Sequence, residues 1–286
     1  MTKPTLIGLY RLFRFELSST AGACALLGEL LALGYLPSFR QAALGFLTIF
    51  CISATALILN DFFDIETDRI NAPYRPLPSG LVSKAEALLL ATVVALLGFL
   101  SGWMIGVEAF ALVLVVWIAG FLYNWRLKKS GIIGNLIVGF SVGMTFVFGG
   151  IMVGNPFEKI VWFLALTTMF VDLGEEIAAD ALDVEGDRKT GSRSLAVRFG
   201  PERAMRIAAG IFSLVIAGSA IPFVFGWLEW LYLPPIVIFD GVIIYSARRL
   251  LNPKIPDRIN DIRRIYLSGS VMIVVFIIIR LAITAR

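Results

Sequence analysis

The chain has 286 residues, of which 58% are hydrophobic and 16% are charged, and its mean hydropathy is +0.84. These values exclude an ordinary soluble domain, in which about 25% of residues are charged, and they indicate a protein that lies in a lipid bilayer. The sequence contains no histidine and two cysteines, Cys24 and Cys51, both within apolar stretches. Two thiols without histidine provide neither a zinc site nor a disulfide framework.

Apolar stretches long enough to cross a bilayer, which takes roughly 20 residues of helix, recur along the chain. We predict about nine such helices, at residues 15–36, 41–62, 84–105, 108–125, 132–154, 158–179, 204–226, 228–247 and 265–285. In the fifth of them, Gly143, Gly149, Gly150 and Gly154 predict close packing against other helices. The predicted fold is all-α and polytopic, a single transmembrane domain over residues 1–286.

Lysine and arginine are concentrated on one side of this arrangement. The N-terminal segment and every second inter-helix loop hold 21 of the 25 basic residues, which leaves Arg40, Lys159, Arg280 and Arg286 for the other side. Because basic loops stay in the cytoplasm, the N-terminus and the long loops are predicted to be cytoplasmic in a multi-pass cell-membrane protein. Topology accounts for the net charge of +4, and the sequence contains no nucleic-acid-binding motif.

One acidic pattern occurs twice, at residues 60–69 and 179–188, at the ends of the second and sixth predicted spans. The repeated aspartates are Asp61, Asp64 and Asp68 in the first copy and Asp180, Asp183 and Asp187 in the second. Every position is offset by 119 residues, and the two copies lie four spans apart. Both copies therefore emerge on the same side of the membrane, as in a parallel repeat, and we expect them to face each other across one cavity.

Helical spacing places the three aspartates of each copy on one face, whereas Glu66 and its counterpart Glu185 point away. Three carboxylates on one face repel one another, so a cation is expected between them. Oxygen ligands without histidine or cysteine favour Mg²⁺ or Mn²⁺, and Mg²⁺ commonly completes its coordination with phosphate oxygens. The pattern therefore predicts a diphosphate held between two metal sites, and the alternative is a pair of solvated helix ends.

Basic residues follow both acidic copies and are candidates for binding the phosphate oxygens. They are Arg69 and Arg75 after the first copy, Arg188, Lys189 and Arg193 after the second, and Lys128 with Lys129 in the turn after the fourth span. Arg75 lies in a loop that Pro73, Pro76 and Pro78 stiffen, which suits a residue that holds a substrate in place. Each of these side chains is equally explained by the excess of basic residues in cytoplasmic loops.

These motifs resemble the UbiA-type intramembrane prenyltransferases over nearly the whole chain. The family signature NDxxDxxxD, followed by N-x-P-x-R-P-[LI]-P-S, matches residues 60–79, and its second signature, DxxDxxxD, matches residues 180–187. The resemblance implies a nine-helix bundle around a central cavity. It also implies two Mg²⁺ ions at the cavity mouth. The expected reaction transfers a prenyl group from an allylic prenyl diphosphate, such as geranylgeranyl diphosphate, to a lipophilic acceptor. Membrane lipid is a further expected partner.

The resemblance also implies roles for individual residues. Asn60, Asp64 and Asp68 correspond to ligands of one metal ion and Asp183 and Asp187 to ligands of the other, with Asp61 and Asp180 binding the metals directly or supporting their ligands. Tyr123 and Lys128 resemble a tyrosine-then-basic pattern that the family places beside the allylic carbon and the diphosphate. Ionisation of the allylic C–O bond would give a cation that the Tyr123 ring stabilises by a cation–π interaction.

Within the family, residues 135–138, 146–155 and 183–187 are most similar to archaeal digeranylgeranylglyceryl phosphate synthases, which implies (S)-3-O-geranylgeranylglyceryl phosphate as the acceptor. One segment departs from that pattern, because the chain reads Glu175-Glu176-Ile177-Ala178-Ala179-Asp180 where those synthases are expected to read Arg-Glu-Ile-x-Lys-Asp. The arginine and lysine of the expected pattern, which this chain lacks, could bind the phosphate of the acceptor. An aromatic acceptor, such as a quinone or haem precursor, therefore remains an alternative.

A function of another class is an ion-coupled secondary transporter, since intramembrane carboxylates and internal repeats also mark ion pathways. The acidic copies lie at helix ends beside basic loops rather than at the membrane midplane. This position favours an enzyme that binds a diphosphate.

Overall fold

The computed structural model describes residues 3–284, and within this range it contains helices and turns but no β-strand. Arg286, which we predicted to lie on the side opposite the basic loops, is therefore outside the described residues. The helices are α1 (Lys3–Leu12), α2 (Phe15–Leu33), α3 (Phe39–Phe63), α4 (Ile65–Asn71), α5 (Lys84–Ile105), α6 (Val107–Leu122), α7 (Ile132–Met152), α8 (Lys159–Leu182), α9 (Val184–Thr190), α10 (Leu195–Phe199), α11 (Pro201–Gly218), α12 (Ile221–Val224), α13 (Leu233–Leu250) and α14 (Ile259–Thr284). The all-α prediction is confirmed.

Eight helical segments among the described residues are long and apolar enough to cross a membrane, one fewer than the nine spans predicted. They cover Thr5–Leu33, Phe39–Phe63, Lys84–Ile105, Val107–Ser130, Ile132–Met152, Pro201–Val224, Trp230–Leu250 and Ile259–Thr284. The difference is α8, which has 24 residues but carries four acidic residues along its second half. Length alone would let α8 span, and its acidic residues make it less apolar than the others.

The interior position of α8 explains why it tolerates those acidic residues. One apolar cluster packs α8 against α2, α7 and α14 through Leu27, Phe146 and Phe276. A second cluster packs it against α11 and α13, where Phe212 and Ile243 are buried. Neighbouring helices thus separate much of α8 from lipid, so its polar side chains can face the inside of the bundle.

Two glycine contacts bring α2 and α7 unusually close together. A Cβ atom added at Gly149 would lie 2.2 Å from the carbonyl oxygen of Ala25, and one added at Gly28 would lie 2.3 Å from that of Phe146. Gly143 makes a similar approach to α8, where an added Cβ would lie 2.6 Å from the Ala165 oxygen. The predicted packing role holds for Gly149 and Gly143, and small residues let the backbones approach in this way. It is wrong for Gly154, which lies past the end of α7 at φ 72° with no atom within 4 Å of an added Cβ, and Gly150 approaches only Asn155 and Pro156 in the following turn.

Replacing Gly149 with alanine should lower the unfolding temperature of the detergent-solubilised protein, because the new methyl group must force α2 and α7 apart. Overpacking of this kind costs about 1–3 kcal/mol. Gly210→Ala is the matched control, since a Cβ there meets no atom within 4 Å inside the same type of helix. The control should be neutral or slightly stabilising, and equal effects of the two changes would contradict the close approach.

Candidate active site

Each acidic motif spans a break between a long helix and a short one. Helix α3 ends at Phe63 and α4 begins at Ile65, with Asp64 between them at φ −92° and ψ 7°. Helix α8 likewise gives way to α9 at Asp183, at φ −109° and ψ 27°. The last backbone hydrogen bond of each long helix ends at the break, from Asp64 N to Asn60 O and from Asp183 N to Ala179 O, both at 3.0 Å. The first bond of each short helix starts there, from Asp68 N to Asp64 O at 2.8 Å and from Asp187 N to Asp183 O at 3.0 Å. The two motifs therefore share one local structure.

Three basic side chains from distant parts of the chain neutralise the first motif. Arg14 forms a salt bridge with Asp61, which is 2% exposed, and Lys128 forms one with Asp64. The Arg75 guanidinium lies 2.7 Å from Asp68 and 3.5 Å from Asp61. Burial opposes the charge of Arg75, but the hydrogen bond to Asp68 and the nearby Asp61 carboxylate raise its pKa overall. Arg75, predicted to bind diphosphate, thus lies beside the first motif.

The backbone at Arg14 is in the left-handed region, at φ 42° and ψ 60°, in the connection between α1 and α2. A residue with a side chain rarely adopts this conformation, which costs of order 1–3 kcal/mol. In this conformation Arg14 forms its salt bridge with the buried Asp61 carboxylate. The Arg14 carbonyl also accepts hydrogen bonds from Leu17 N and Ser18 N. The turn thereby directs Arg14 from the N-terminal segment into the motif.

The glutamates of both motifs face away from the aspartates, as predicted. Glu66 pairs with Arg69 at 2.8 Å, and the side chains are 73% and 58% exposed. Glu185 pairs with Arg188 at 3.8 Å in the same i, i+3 arrangement. Arg69 and Arg188 therefore lie on the outer side of the two short helices in this structure. Lys189 and Arg193 are also exposed, so the phosphate-binding role of these four residues stays a prediction.

A single π-helical turn follows α6 and positions two side chains. Within it, at Tyr123–Leu127, Asn124 donates a hydrogen bond to the Ala56 carbonyl and accepts one from the Asn60 side chain, both at 3.0 Å. A π turn inserts an extra residue and redirects the side chains that follow, and such turns are frequent at functional sites. The ring of Tyr123 lies against Gly134 of α7, where an added Cβ would come within 3.4 Å of it.

The second motif is held differently from the first. Asp180 accepts a hydrogen bond from the buried Asn135 side chain at 3.0 Å. The Asp183 carboxylate lies over Gly186, where a Cβ atom would come within 2.6 Å of its Oδ1. Among residues 3–284, neither Asp180 nor Asp183 forms a salt bridge, whereas all three aspartates of the first motif do. Asp180 and Asp183 are therefore not balanced by a basic residue as the aspartates of the first motif are.

Residues 123–135, which we call the bridging segment, touch both acidic motifs. Through Asn124 and Lys128 the segment contacts the first motif, and through Asn135 it contacts the second. The Lys129 carbonyl also accepts a hydrogen bond from Arg193 N at 2.9 Å. Tyr123 interacts electrostatically with carboxylates of both motifs, including Asp64 and Asp180. The two motifs thus lie at one end of the bundle and face one site.

The donor set at this site suits the predicted hard cation, since it consists of aspartate carboxylates and the Asn60 amide oxygen. Within the described part of the chain, no three acidic side chains converge on one point, because basic or amide side chains face Asp61, Asp64, Asp68 and Asp180. The carboxylates of the first motif would therefore exchange these partners for a metal ion.

An apolar pocket lies deeper in the bundle, between α3, α6 and α7. It is lined by Ile49, Ile52, Leu112, Val113, Val116, Ser141, Met144, Thr145 and Phe148. Ile52 precedes Asp61 by nine residues along α3, which corresponds to roughly 13 Å of helix rise. The pocket is small, so a hydrocarbon chain would enter it only if the surrounding side chains moved apart.

Three polar residues of the site were not predicted from the residue pattern as partners of the motifs. They are Arg14, Asn124 and Asn135, which contact Asp61, Asn60 and Asp180, respectively. The sequence feature that could have indicated them is an asparagine or arginine beside an apolar span. Burying such a polar group in the membrane without a partner costs free energy. That signal identifies a polar contact but not its partner, which depends on how the helices pack.

Comparisons with known proteins agree with this geometry. The family model for UbiA prenyltransferases matches residues 21–269. A digeranylgeranylglyceryl phosphate synthase of Thermococcus sibiricus is 35% identical over 243 residues, covering 84% of this chain and 85% of that protein. A solved structure concerned with digeranylgeranylglyceryl phosphate synthase in membranes superposes with a TM-score of 0.77 at 28% identity, over 97% of this chain and 99% of the other.

A UbiA homologue from Archaeoglobus fulgidus, bound to GPP and Mg²⁺, shares the fold with a TM-score of 0.68 at 22% identity, over 98% of this chain and 100% of the other. The matched region of the family model includes both acidic motifs and the bridging segment, which joins them. The multi-pass helical fold, the repeated motifs and these similarities lead to one conclusion. The chain is a membrane enzyme that belongs to the UbiA prenyltransferase family.

Proposed function

We propose that this prenyltransferase moves a prenyl group from an allylic prenyl diphosphate, such as geranylgeranyl diphosphate, to (S)-3-O-geranylgeranylglyceryl phosphate in a Mg²⁺-dependent reaction. The observation that carries the proposal is the bridging segment, which contacts both aspartate motifs and contributes Lys128 to the first. Relatives named digeranylgeranylglyceryl phosphate synthase support the acceptor. The excess of basic residues in the connecting loops supports a cytoplasmic site and N-terminus.

Two metal ions are proposed, one at each motif. Asn60, Asp64 and Asp68 would hold one ion and Asp183 and Asp187 the other, with Asp61 and Asp180 beside them. Bound Mg²⁺ supplies positive charge that stabilises the leaving diphosphate. A homologue with bound GPP and Mg²⁺ has this fold, which is consistent with the assignment.

The protein's own groups would then act on the diphosphate and the prenyl chain. Arg75 and Lys128, which pair with carboxylates in this structure, would donate hydrogen bonds to phosphate oxygens as charge develops there. The allylic C–O bond breaks with its electron pair leaving on the diphosphate. Tyr123 would stabilise the resulting allylic cation through its ring, and the acceptor oxygen would attack that cation and lose its proton.

Removal of the metal should stop the reaction without unfolding the protein. After treatment with a chelator, transfer from radiolabelled geranylgeranyl diphosphate should fall to background, and added Mg²⁺ should restore it. The fold should survive because salt bridges with Arg14, Arg75 and Lys128 balance the first motif in the absence of metal. Full activity in the chelated protein would contradict the proposal.

Replacing Asp64 or Asp187 with alanine should reduce transfer by about 100-fold or more, because each change removes a proposed ligand that supports the departing diphosphate. Glu66→Ala is the control, since Glu66 is exposed and pairs only with Arg69 among the described residues. Its rate should stay close to that of the unmodified protein. Equal losses in Asp64→Ala and Glu66→Ala would show that the face assignment is wrong.

Replacing Arg14 with alanine should raise the acceptor KM by about tenfold, more than it raises the donor KM, if the acceptor carries a phosphate. A charge-assisted hydrogen bond to substrate accounts for a loss of about this size. Arg69→Ala, which removes an arginine from an exposed pair, is the control. If only the donor kinetics change and an uncharged aromatic compound is prenylated efficiently, the glyceryl phosphate acceptor is wrong although prenyl transfer stands.

A further inference from the structure

A second group of carboxyl side chains lies on α8, deeper in the bundle than Asp180. Asp172, Glu175 and Glu176, which we call the inner acidic cluster, occupy a single turn of the helix. Asp172, Glu176 and Asp180 follow one another at intervals of four residues, so they share one face of α8. Glu176 lies about 6 Å and Asp172 about 12 Å along the helix from Asp180, away from the second motif.

Two members of the inner acidic cluster have oxygen atoms without partners. Asp172 Oδ2 and Glu175 Oε1 are inaccessible to solvent and accept no hydrogen bond from any described residue. Both side chains lie deep among protein atoms, yet both residues retain some accessible surface. Part of each residue can therefore still be reached by a small ligand. Because buried polar groups are nearly always hydrogen-bonded, these oxygens indicate a ligand that donates hydrogen bonds.

The inner acidic cluster adjoins the proposed reaction centre. Tyr123 interacts electrostatically with both Glu176 and Asp172, and Lys128 interacts with Glu176. Of the three carboxyl groups, only Glu176 is acted on by the charge of Lys128. A ligand in contact with the cluster would therefore lie next to the residues proposed to hold the allylic end of the donor.

The charge of the cluster restricts the ligand. The three carboxyl groups outnumber the one nearby lysine, Lys128, which also pairs with Asp64. Their negative charge would therefore repel a phosphate. A divalent cation is not favoured, since among residues 3–284 no three acidic side chains converge on one point. A neutral group with hydrogen-bond donors, such as an alcohol, satisfies the unpartnered oxygens and is also the type of group that a prenyl transfer to oxygen consumes.

We propose that the inner acidic cluster is the acceptor subsite, in which Asp172 and Glu175 accept hydrogen bonds from the free hydroxyl of the acceptor. This inference rests on the proposed prenyl transfer and adds an orientation to it. The hydroxyl lies beside Tyr123, and the phosphate, which is on the neighbouring glyceryl carbon, points away from the cluster, towards Arg14. The donor diphosphate does not contact Asp172 or Glu175.

The test compares variants at the two unpartnered residues, Asp172→Ala and Glu175→Met, with the exposed control Glu185→Gln. Acceptor and donor KM are measured with geranylgeranylglyceryl phosphate and with geranylgeranylglycerol, its phosphate-free counterpart, and hydrolysis of the donor by water is followed without acceptor. We expect the acceptor KM to rise about tenfold for both acceptors, as for loss of a hydrogen bond to a charged group. Donor KM and donor hydrolysis should not change, and Asp172→Asn should restore part of the acceptor affinity.

Other outcomes overturn the inference. An unchanged acceptor KM, or an equal rise in donor KM, would show that the cluster does not bind the acceptor specifically. A changed dependence on Mg²⁺ concentration would assign the cluster to a cation instead. Unfolding temperatures verify that the variants are folded. If Asp172→Ala does not fold, the same kinetic measurements are made on Asp172→Asn, which removes only the charge. Failure of the unmodified protein to consume the donor with any acceptor would instead reject the proposed function, and this inference with it.

Discussion

Carboxylates gathered at one end of a membrane bundle repel one another, and the compensation of that charge organises the site. In the first motif, each aspartate is balanced by a basic residue from a different part of the chain. Arg14 comes from the connection that precedes α2, Arg75 from the proline-rich loop and Lys128 from the bridging segment. These segments are held together largely because Asp61 and Asp68 are buried and a buried charge needs a partner.

At Asp180 the second motif meets the same constraint with an amide group rather than with a basic residue. Asn135 donates to Asp180, and the bridging segment carries both this asparagine and Asn124, which supports the first motif. A single short stretch of sequence therefore sets the separation of two motifs that lie 119 residues apart. The π-helical turn at Tyr123–Leu127 fixes how that stretch leaves α6.

Much of the fold could be predicted from the sequence because apolar length and helix spacing are local properties. The fifth predicted span, 132–154, and the observed α7, Ile132–Met152, differ by two residues at one end. The outward direction of Glu66 was predicted from helical periodicity and is observed in its exposed pair with Arg69. The left-handed backbone of Arg14 and the π turn could not be predicted, since both depend on contacts between distant segments. The acidic residues of α8 were visible in the sequence, but their interior position follows from the packing of neighbouring helices.

The balance of three carboxylates by three basic side chains in the first motif has a thermodynamic consequence. A metal ion that enters alone must displace a basic residue, which is then left without a partner. A diphosphate that enters alone attracts Arg75 and Lys128 and leaves Asp68 and Asp64 unbalanced. If both enter, as in the proposed reaction, the basic residues would move to the phosphate and the metal would take their place. Binding of the ion and of the diphosphate would then be cooperative, and by reciprocity each would raise the affinity for the other by the same factor.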